Sequence, residues 1–465
     1  MASSAAVDDA DAPLDDSHGV GVRPPQLSGG TALQGHLNDL ASDNLALFRR
    51  CAALGGLVRF RIYWYQCHVL TDPELAGAML VTHAASFKKT RALQVARPTF
   101  GNGLVTSEGD AWRRQQRLMR AFFTPKAASL YAELIIDCIG RKLQSWGGNG
   151  SEVDLHEDMV DVSLELICRA LFGLDATRLQ PLVRDAAHAV QQWHSDCQAL
   201  CLPYPHYFPI PSNYRYRKRT HALNRVVYDL IRDVRASGGA EHGLLGAMLN
   251  ARDEDGSVIS DQEVRDQVVT LFLAGHDTTA SSLALALYEL SFRPDLQERI
   301  AQESLGREPS ECLEHVLKET LRLYPAVHLV GRTALEDVRL GKFLVKRGEE
   351  VILPLHVLQR DPRFFSRPEE FVPERWASPP GPSACQRYAH LPFSTGPRVC
   401  IGQAVAMAEL RGIVTAILTR FRLTPLGERA PRLDTRLTLS PAPGVTRVAV
   451  SRVLRGAPPF AVSAS

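Results

Sequence analysis

The strongest restriction on the fold of this chain is a stretch near its middle that reads as one unbroken helix. Ser260 can cap its start, Glu263 three residues later can complete a capping box, and no stop signal follows until Arg293 and Pro294. Roughly thirty residues at 1.5 Å each make a rod about 45 Å long, enough to cross an entire domain. The middle of the rod is apolar apart from the run Ala274, Gly275, His276, Asp277, Thr278 and Thr279. Polar groups in a helix otherwise suited to burial are unfavourable without partners, so the fold must give this cluster a use.

A rod of that length needs a large core around it. With 465 residues, 45% of them hydrophobic, and a formal net charge of +2, the chain can build one, and it shows no basic footprint for nucleic acid. No Gly/Ser-rich linker or charge block divides it, so residues 26–465 read as a single domain. Residues 1–25, small and acidic up to Arg23, Pro24 and Pro25, read as a disordered tail. No run approaches the ~20 apolar residues of a membrane-spanning helix, and the start has no targeting pattern; the expectation is a soluble, cytoplasmic protein without a membrane anchor.

Alternation from Arg59 to Tyr63 and again from Gln66 to Val69 predicts an early hairpin. Helical patterning begins near Pro73 and dominates from Trp112 to Tyr324. A second strand-rich stretch runs from Val338 to Val351 with a turn at Lys346 to Gly348, and Leu437 to Val448 is β-branched and punctuated by proline. The fold class is therefore mainly α with small β-sheets toward the two ends.

Nine cysteines occur, without the paired spacing of a disulfide framework or a zinc site. One stands in a chemical context. Phe393, Gly396, Arg398, Cys400 and Gly402 lead into a helical segment from Gln403 to Leu418. A thiolate at a helix N-terminus is favoured by the dipole and by free N–H groups. Gly396 suits a sharp loop, Gly402 lets the helix approach a flat ligand, and Phe393 can shield the sulfur. Taken alone, Cys400 would more often be a core cysteine after a Gly-Pro turn.

This segment, continued through Ala406 and Glu409, resembles the cysteine-ligand loop of the cytochrome P450 family, haem-thiolate monooxygenases. Three further motifs resemble that family. Glu319 and Arg322 share a helix face before Tyr324 and Pro325, and Arg375 follows in Pro373 to Trp376; the resemblance makes the three a buried structural network, although an exposed pair is the commoner fate of such spacing. The cluster on the rod would pass over the distal haem face: Ala274 and Gly275 leave room for oxygen, Thr278 hydrogen-bonds it, Asp277 relays protons, and His276 is structural. A threonine bonding back to the preceding turn is the plain alternative for Thr278. Arg398, Arg332 and Trp112 would hold the haem propionates, with Gln116 standing where the family often has a basic residue.

The resemblance implies a cytochrome P450 fold with the long central helix over the haem and the Cys-ligand loop before a proximal helix. Haem b would be the cofactor, and Cys400 its iron ligand. One atom of O2 would be inserted, by hydroxylation or epoxidation, into a small hydrophobic substrate. The pocket would be lined by residues 91–104, by Thr270 and Ala274, and by Val327, Leu329 and Val330, with a lid at Pro203 to Tyr216. The wording of the rod cluster is similar to fatty-acid hydroxylases, which puts a long-chain lipid first and terpenoids, steroids and polyketides next. No dinucleotide fingerprint occurs, so electrons would come from a ferredoxin or flavodoxin with its reductase, docked on Arg113, Arg114, Arg117 and Arg120, unless that stripe is only a solvated face. A short connection between Glu303 and Leu313 predicts a clipped loop. A peroxide-driven peroxygenase of the same fold and a non-catalytic haem carrier or sensor remain as alternatives.

Overall fold

The computed structural model describes residues 21–173, 180–200, 211–236, 243–253, 256–306, 309–378, 387–435 and 438–453. In chain order its helices of eight or more residues are α1 (Asn44–Ala52), α2 (Gly109–Arg120), α3 (Ala132–Ser145), α4 (Leu155–Phe172), α5 (Gln180–Leu200), α6 (Pro211–Ala236), α7 (Gly243–Asn250), α8 (Asp261–Ser291), α9 (Pro294–Glu303), α10 (Glu311–Leu323) and α11 (Gln403–Leu418). The strands are β1 (Leu57–Ile62), β2 (Tyr65–Leu70), β3 (Phe87–Lys89), β4 (Ser151–Asp154), β5 (Val330–Ala334), β6 (Val338–Leu340), β7 (Phe343–Val345), β8 (Glu350–Leu353), β9 (Phe421–Pro425), β10 (Leu433–Asp434), β11 (Ser440–Pro441) and β12 (Arg447–Arg452).

The rod is α8, with 31 residues. The Ser260 hydroxyl accepts the Glu263 N–H at 3.2 Å while the Glu263 carboxylate accepts the Ser260 N–H at 3.0 Å, closing the capping box. The helix stops at Ser291 because Pro294 excludes helical geometry at Arg293, which sits at φ −134 and ψ 75. From Thr279 onward every residue of α8 is buried. Its apolar side chains there pack with those of α3, α4, α10 and α11 in one cluster that includes Leu283, Leu287, Val316, Ile413 and Ile417. At about 1.5–3 kcal/mol for each buried aliphatic side chain, this cluster is the main source of stability.

Two larger sheets flank the helices, beside the two-stranded pairs β6-β7 and β10-β11. The five-stranded one runs β1-β2-β8-β5-β3, antiparallel except where β2 lies parallel to β8, and the three-stranded one runs β4-β12-β9. The predicted hairpin is β1 and β2, turning at Tyr63. At the connection from Glu303 to Leu313, of which residues 307 and 308 lie outside the described residues, the Glu303 carboxylate receives both the Ser310 hydroxyl, at 2.8 Å, and the Cys312 N–H, at 3.0 Å.

One boundary needs correction. Residues 1–20 of the expected tail lie outside the described residues, but residues 21–25 are held in the fold. Val22 exchanges backbone bonds with Lys342 and Leu344, each 2.9 Å, and the Pro25 carbonyl accepts the Arg59 N–H at 2.8 Å. Arg23 donates to both Glu349 oxygens, at 2.8 and 3.2 Å. Main-chain bonds and an ion pair hold this segment, so hydrophobic patterning could not reveal it. Of the expected lid, residues 203–210 lie outside the described residues. Tyr216 is buried, stacked on Trp193 with ring centroids 4.4 Å apart, and its hydroxyl meets that of Thr99 at 2.7 Å.

Candidate active site

The loop before α11 is shaped by one glycine. Gly396 has φ +74, and a Cβ there would lie 2.1 Å from the Leu80 carbonyl oxygen, so no other residue fits without movement. The loop then returns the Cys400 N–H to the Phe393 carbonyl at 3.0 Å. Cys400 is exposed, while five other described cysteines, Cys51, Cys67, Cys138, Cys168 and Cys312, are buried. Although the residue is open on one side, the protein atoms crowded round the sulfur push its thiol up, and the N–H groups of Gly402 and Gln403 at the head of α11 oppose that.

Along α8 burial lapses in one place. Leu271, Leu273, Ala274, Gly275 and Thr278 are open to differing degrees, Ala274 most, whereas the rod is buried on either side. Ala274 is therefore uncovered midway along the rod. The Thr278 hydroxyl donates to the Ala274 carbonyl at 2.9 Å, which leaves its lone pairs free to accept. Asp277 is buried and accepts a hydrogen bond from the Thr438 hydroxyl, and its charge is felt by His156 at the start of α4. His276 is buried with Nδ1 2.5 Å from the Phe272 carbonyl.

Two expected positions have close protein neighbours. A Cβ on Gly275 would meet the Ile167 side chain at 3.3 Å, so this glycine lets α4 approach the rod closely. Thr270 is buried beneath the 101–104 loop, where a Cβ on Gly103 would lie 2.2 Å from its hydroxyl oxygen. Among the other expected pocket residues Val327 is 46% exposed, whereas Leu329 and Val330 are half-buried against the sheet.

Cations gather at the edge of the five-stranded sheet. Antiparallel pairing of β3 with β5 sets Lys89 directly opposite Arg332, an arrangement that like charges destabilise. Burial, Arg398 and Arg332 pull the Lys89 ammonium down to about 7 against the opposing charge of Glu108. Burial and Arg398 bring Arg332 down to about 10, and no carboxylate lies within ion-pair reach of it among the described residues. Arg398 stacks 5.0 Å from the Trp112 ring centroid and donates to both oxygens of Glu108, at 2.8 and 2.5 Å. Gln116 points elsewhere, donating to the Pro397 carbonyl at 2.7 Å and so tying α2 to the cysteine loop.

Glu319 and Arg322 are fully buried. They are joined by bonds of 2.9 and 2.8 Å, and Glu319 also receives Arg375 at 3.0 Å, the Val372 N–H at 2.8 Å and the Trp376 indole at 2.9 Å. Arg322 donates its remaining hydrogens to the carbonyls of Gln359, Pro368 and Glu370. Both charges of the buried Glu319–Arg322 pair are met by each other and by further hydrogen bonds, which a buried pair requires.

The basic stripe on α2 is partly occupied. Arg114 bonds Asp253 and Glu263, both at 2.6 Å, and Arg117 bonds Asp253 at 3.0 Å. Arg120 instead lines an open hollow of about 1060 Å³ whose walls come from α2, α3, the cysteine loop and α11, with Cys400 and Arg411 among them.

An open sulfur at a helix head, a rod that clears space at Ala274, and a cluster of cations in which Arg332 has no carboxylate of its own fit a flat, metal-bearing ring with two acidic arms. Haem is such a group. Cys400 would take its iron and Arg332, Arg398, Lys89 and Trp112 its carboxylates. Lys89, Glu108 and Thr438 were not legible beforehand, because each acquires its meaning from a partner far away in the chain.

The chain matches the cytochrome P450 family over residues 25–447. It is 30% identical over 433 residues to the cyclooctatin synthase of Streptomyces melanosporofaciens, covering 89% of this chain and 93% of that protein. To the cyclooctat-9-en-7-ol 5-monooxygenase of the same organism it is 32% identical over 414 residues, covering 86% and 89%. The pentalenene oxygenase of Streptomyces avermitilis is 28% identical over 413 residues, covering 85% and 90%. Among solved structures, the crystal structure of the cytochrome P450DA heme domain superposes with a TM-score of 0.81 at 25% identity, covering 93% of this chain and 98% of that one. By its sequence, its fold and the setting of Cys400, the chain belongs to the cytochrome P450 family.

Proposed function

We propose that this cytochrome P450 monooxygenase oxidises a cyclic terpenoid or a comparably apolar skeleton, with haem b as its cofactor and electrons from a separate ferredoxin or flavodoxin. The observation that carries the reading is the placement of Cys400, exposed at the head of α11, together with the opened stretch of α8 at Ala274 and Thr278. Bound haem supplies the activation of dioxygen, and a thiolate ligand favours cleavage of the O–O bond, as in cytochromes P450 generally.

The chain's own groups do the rest. Cys400 would hold the metal, and the N–H donors of Gly402 and Gln403 would steady the sulfur's charge. Thr278 presents its hydroxyl oxygen to the reaction space from a position fixed by the Ala274 carbonyl. Asp277, released from Thr438, passes protons toward Thr278. Ala274 and Val327 offer the substrate apolar walls. A terpenoid is preferred to the long-chain lipid suggested by the rod's wording because three relatives matched over most of their length are named for cyclooctatin, cyclooctat-9-en-7-ol and pentalenene.

Electrons would arrive through the hollow beside Cys400, where Arg120 would face an acidic partner while Arg411 is held by Glu314. Arg114 is already engaged by Asp253 and Glu263, so it contributes to the fold of α2 rather than to docking. The test combines the purified protein with a ferredoxin, its reductase and a panel of cyclic terpenes. Thr278→Ala should keep the carbon monoxide difference spectrum of thiolate-bound haem, yet divert most of the consumed reductant to hydrogen peroxide. Product yield per reductant equal to wild type removes Thr278 from the mechanism, and turnover of fatty acids alone removes the terpenoid reading.

A further inference from the structure

We propose that the protein docks on an anionic lipid surface through an apolar promontory at one edge of the five-stranded sheet. Three loops reach that edge. The 31–35 loop pairs at Gly35 with Ile62, and Ile62 faces Tyr65 across the hairpin. Because β2 lies parallel to β8, with Cys67 opposite Glu350, Tyr65 comes level with Gly348 and the Lys346 to Gly348 turn lies beside the hairpin tip. Arg61 fastens the first two loops together, donating to the carbonyls of Thr31 and Ala32 at 2.7 Å and to that of Tyr63.

These bonds fix the loops through their backbones and leave the side chains at the tips uncovered. Leu33 is 81% exposed and Trp64 71%. Tyr63 and Tyr65 flank Trp64 with ring centroids 5.7 and 5.2 Å away. A single exposed leucine means little, but a tryptophan held out beside one by a cationic clamp is apolar surface with its own support. Cations ring the tip. Arg91 lies 4.4 Å over the Tyr65 ring and donates to the Gly348 carbonyl at 3.2 Å. Lys346 and Arg347 are exposed on the turn.

Tryptophan and tyrosine at the apex with arginine and lysine at the rim is the composition of an interfacial anchor, in which rings enter the headgroup layer and cations meet acidic lipids. The small number of exposed apolar side chains argues against a protein partner: a stable protein interface buries about 800 Å² on each side, more than a few side chains on loop tips can offer. No described helix is long and apolar enough to cross a membrane, so the contact would be peripheral and reversible. Arg91 begins the 91–104 segment that the family resemblance sets beside the substrate pocket, so docking would bring that segment close to a reservoir of apolar molecules.

The test is sedimentation of the haem-loaded protein with vesicles of phosphatidylcholine alone or mixed with phosphatidylglycerol. Wild type should pellet with the mixed vesicles at low salt, shift its tryptophan emission to the blue, and be released by high salt. Trp64→Ser and the pair Lys346→Glu with Arg347→Glu should each weaken vesicle partitioning about tenfold or more while leaving the haem spectrum unchanged. Equal binding to both vesicle types, no binding at all, or undiminished binding by Trp64→Ser overturns the proposal. Loss in Trp64→Ser of binding to a purified redox partner, with vesicles ignored, would also overturn it and assign the surface to a protein.

Discussion

Glu409 shows how a single side chain can make stability depend on pH. Burial in α11 lifts its carboxyl to about 8, against a lowering hydrogen bond with Thr279 on α8. The folded state thus holds a proton that the unfolded chain releases near 4.5, so stability falls as pH rises through 4.5 to 8 and stays at the lower value beyond. Glu409→Gln should abolish that slope and leave the variant more stable than wild type at alkaline pH by a few kcal/mol, because each pH unit of that window costs the wild type about 1.4 kcal/mol. Urea melts at pH 5 and 9 would check it. The Glu319 network makes the opposite case. Arg322→Ala leaves a buried carboxylate undercompensated and should lower the unfolding free energy by about 3–5 kcal/mol in the same melts. This network was readable in the sequence because two members lie three apart on one helix. Lys89 was not, since its exposed neighbour Lys88 looks the same until β3 pairs with β5 and turns one inward.

At the scale of elements, the cysteine loop contains two glycines with different duties. Gly396 is required by its positive φ and the Leu80 carbonyl. At Gly402 an added Cβ would meet only the Cys400 sulfur, at an ordinary 3.8 Å. Gly396→Ala should therefore destabilise the protein even without haem, whereas Gly402→Ala should leave the haem-free melt unchanged and weaken haem uptake. Thermal melts of the haem-free variants and a haem titration of each separate the two roles. Most elements were legible for the same reason that these are distinct: each follows from local rules. The capping box on α8, the stop imposed by Pro294 and the turn at Gly348 need no tertiary information. The placement of Gly275 against α4 and of Thr270 under Gly103 does, because neither neighbour is close in the chain.

For the molecule as a whole, the N-terminal segment is tied down by chemistry that acid can undo. Burial raises the Glu349 carboxyl, but hydrogen bonds from His68, Arg23 and the Lys346 N–H outweigh it and hold it at about 2. This contribution, roughly 2–3 kcal/mol, is complete above pH 4.5 and is lost as pH falls through 2. Hydrogen exchange at the amides of Val22 and Leu344, corrected for intrinsic rates, should accelerate in that window before the amides of α8 do. The domain's reach down to Gly21 could not be read beforehand, because Glu349 and Arg23 are 326 residues apart.

The facing of Lys89 and Arg332 gives the unfilled protein a seam that repels itself. A carboxylate of the prosthetic group held by Arg332 would offset that repulsion, so taking up the group would also secure the sheet's border. Limited proteolysis should nick the empty chain between residues 89 and 108 and spare the filled one, and equal resistance of both would dismiss the idea. Housekeeping proteases would then clear unfinished copies first, a form of inspection written into strand register.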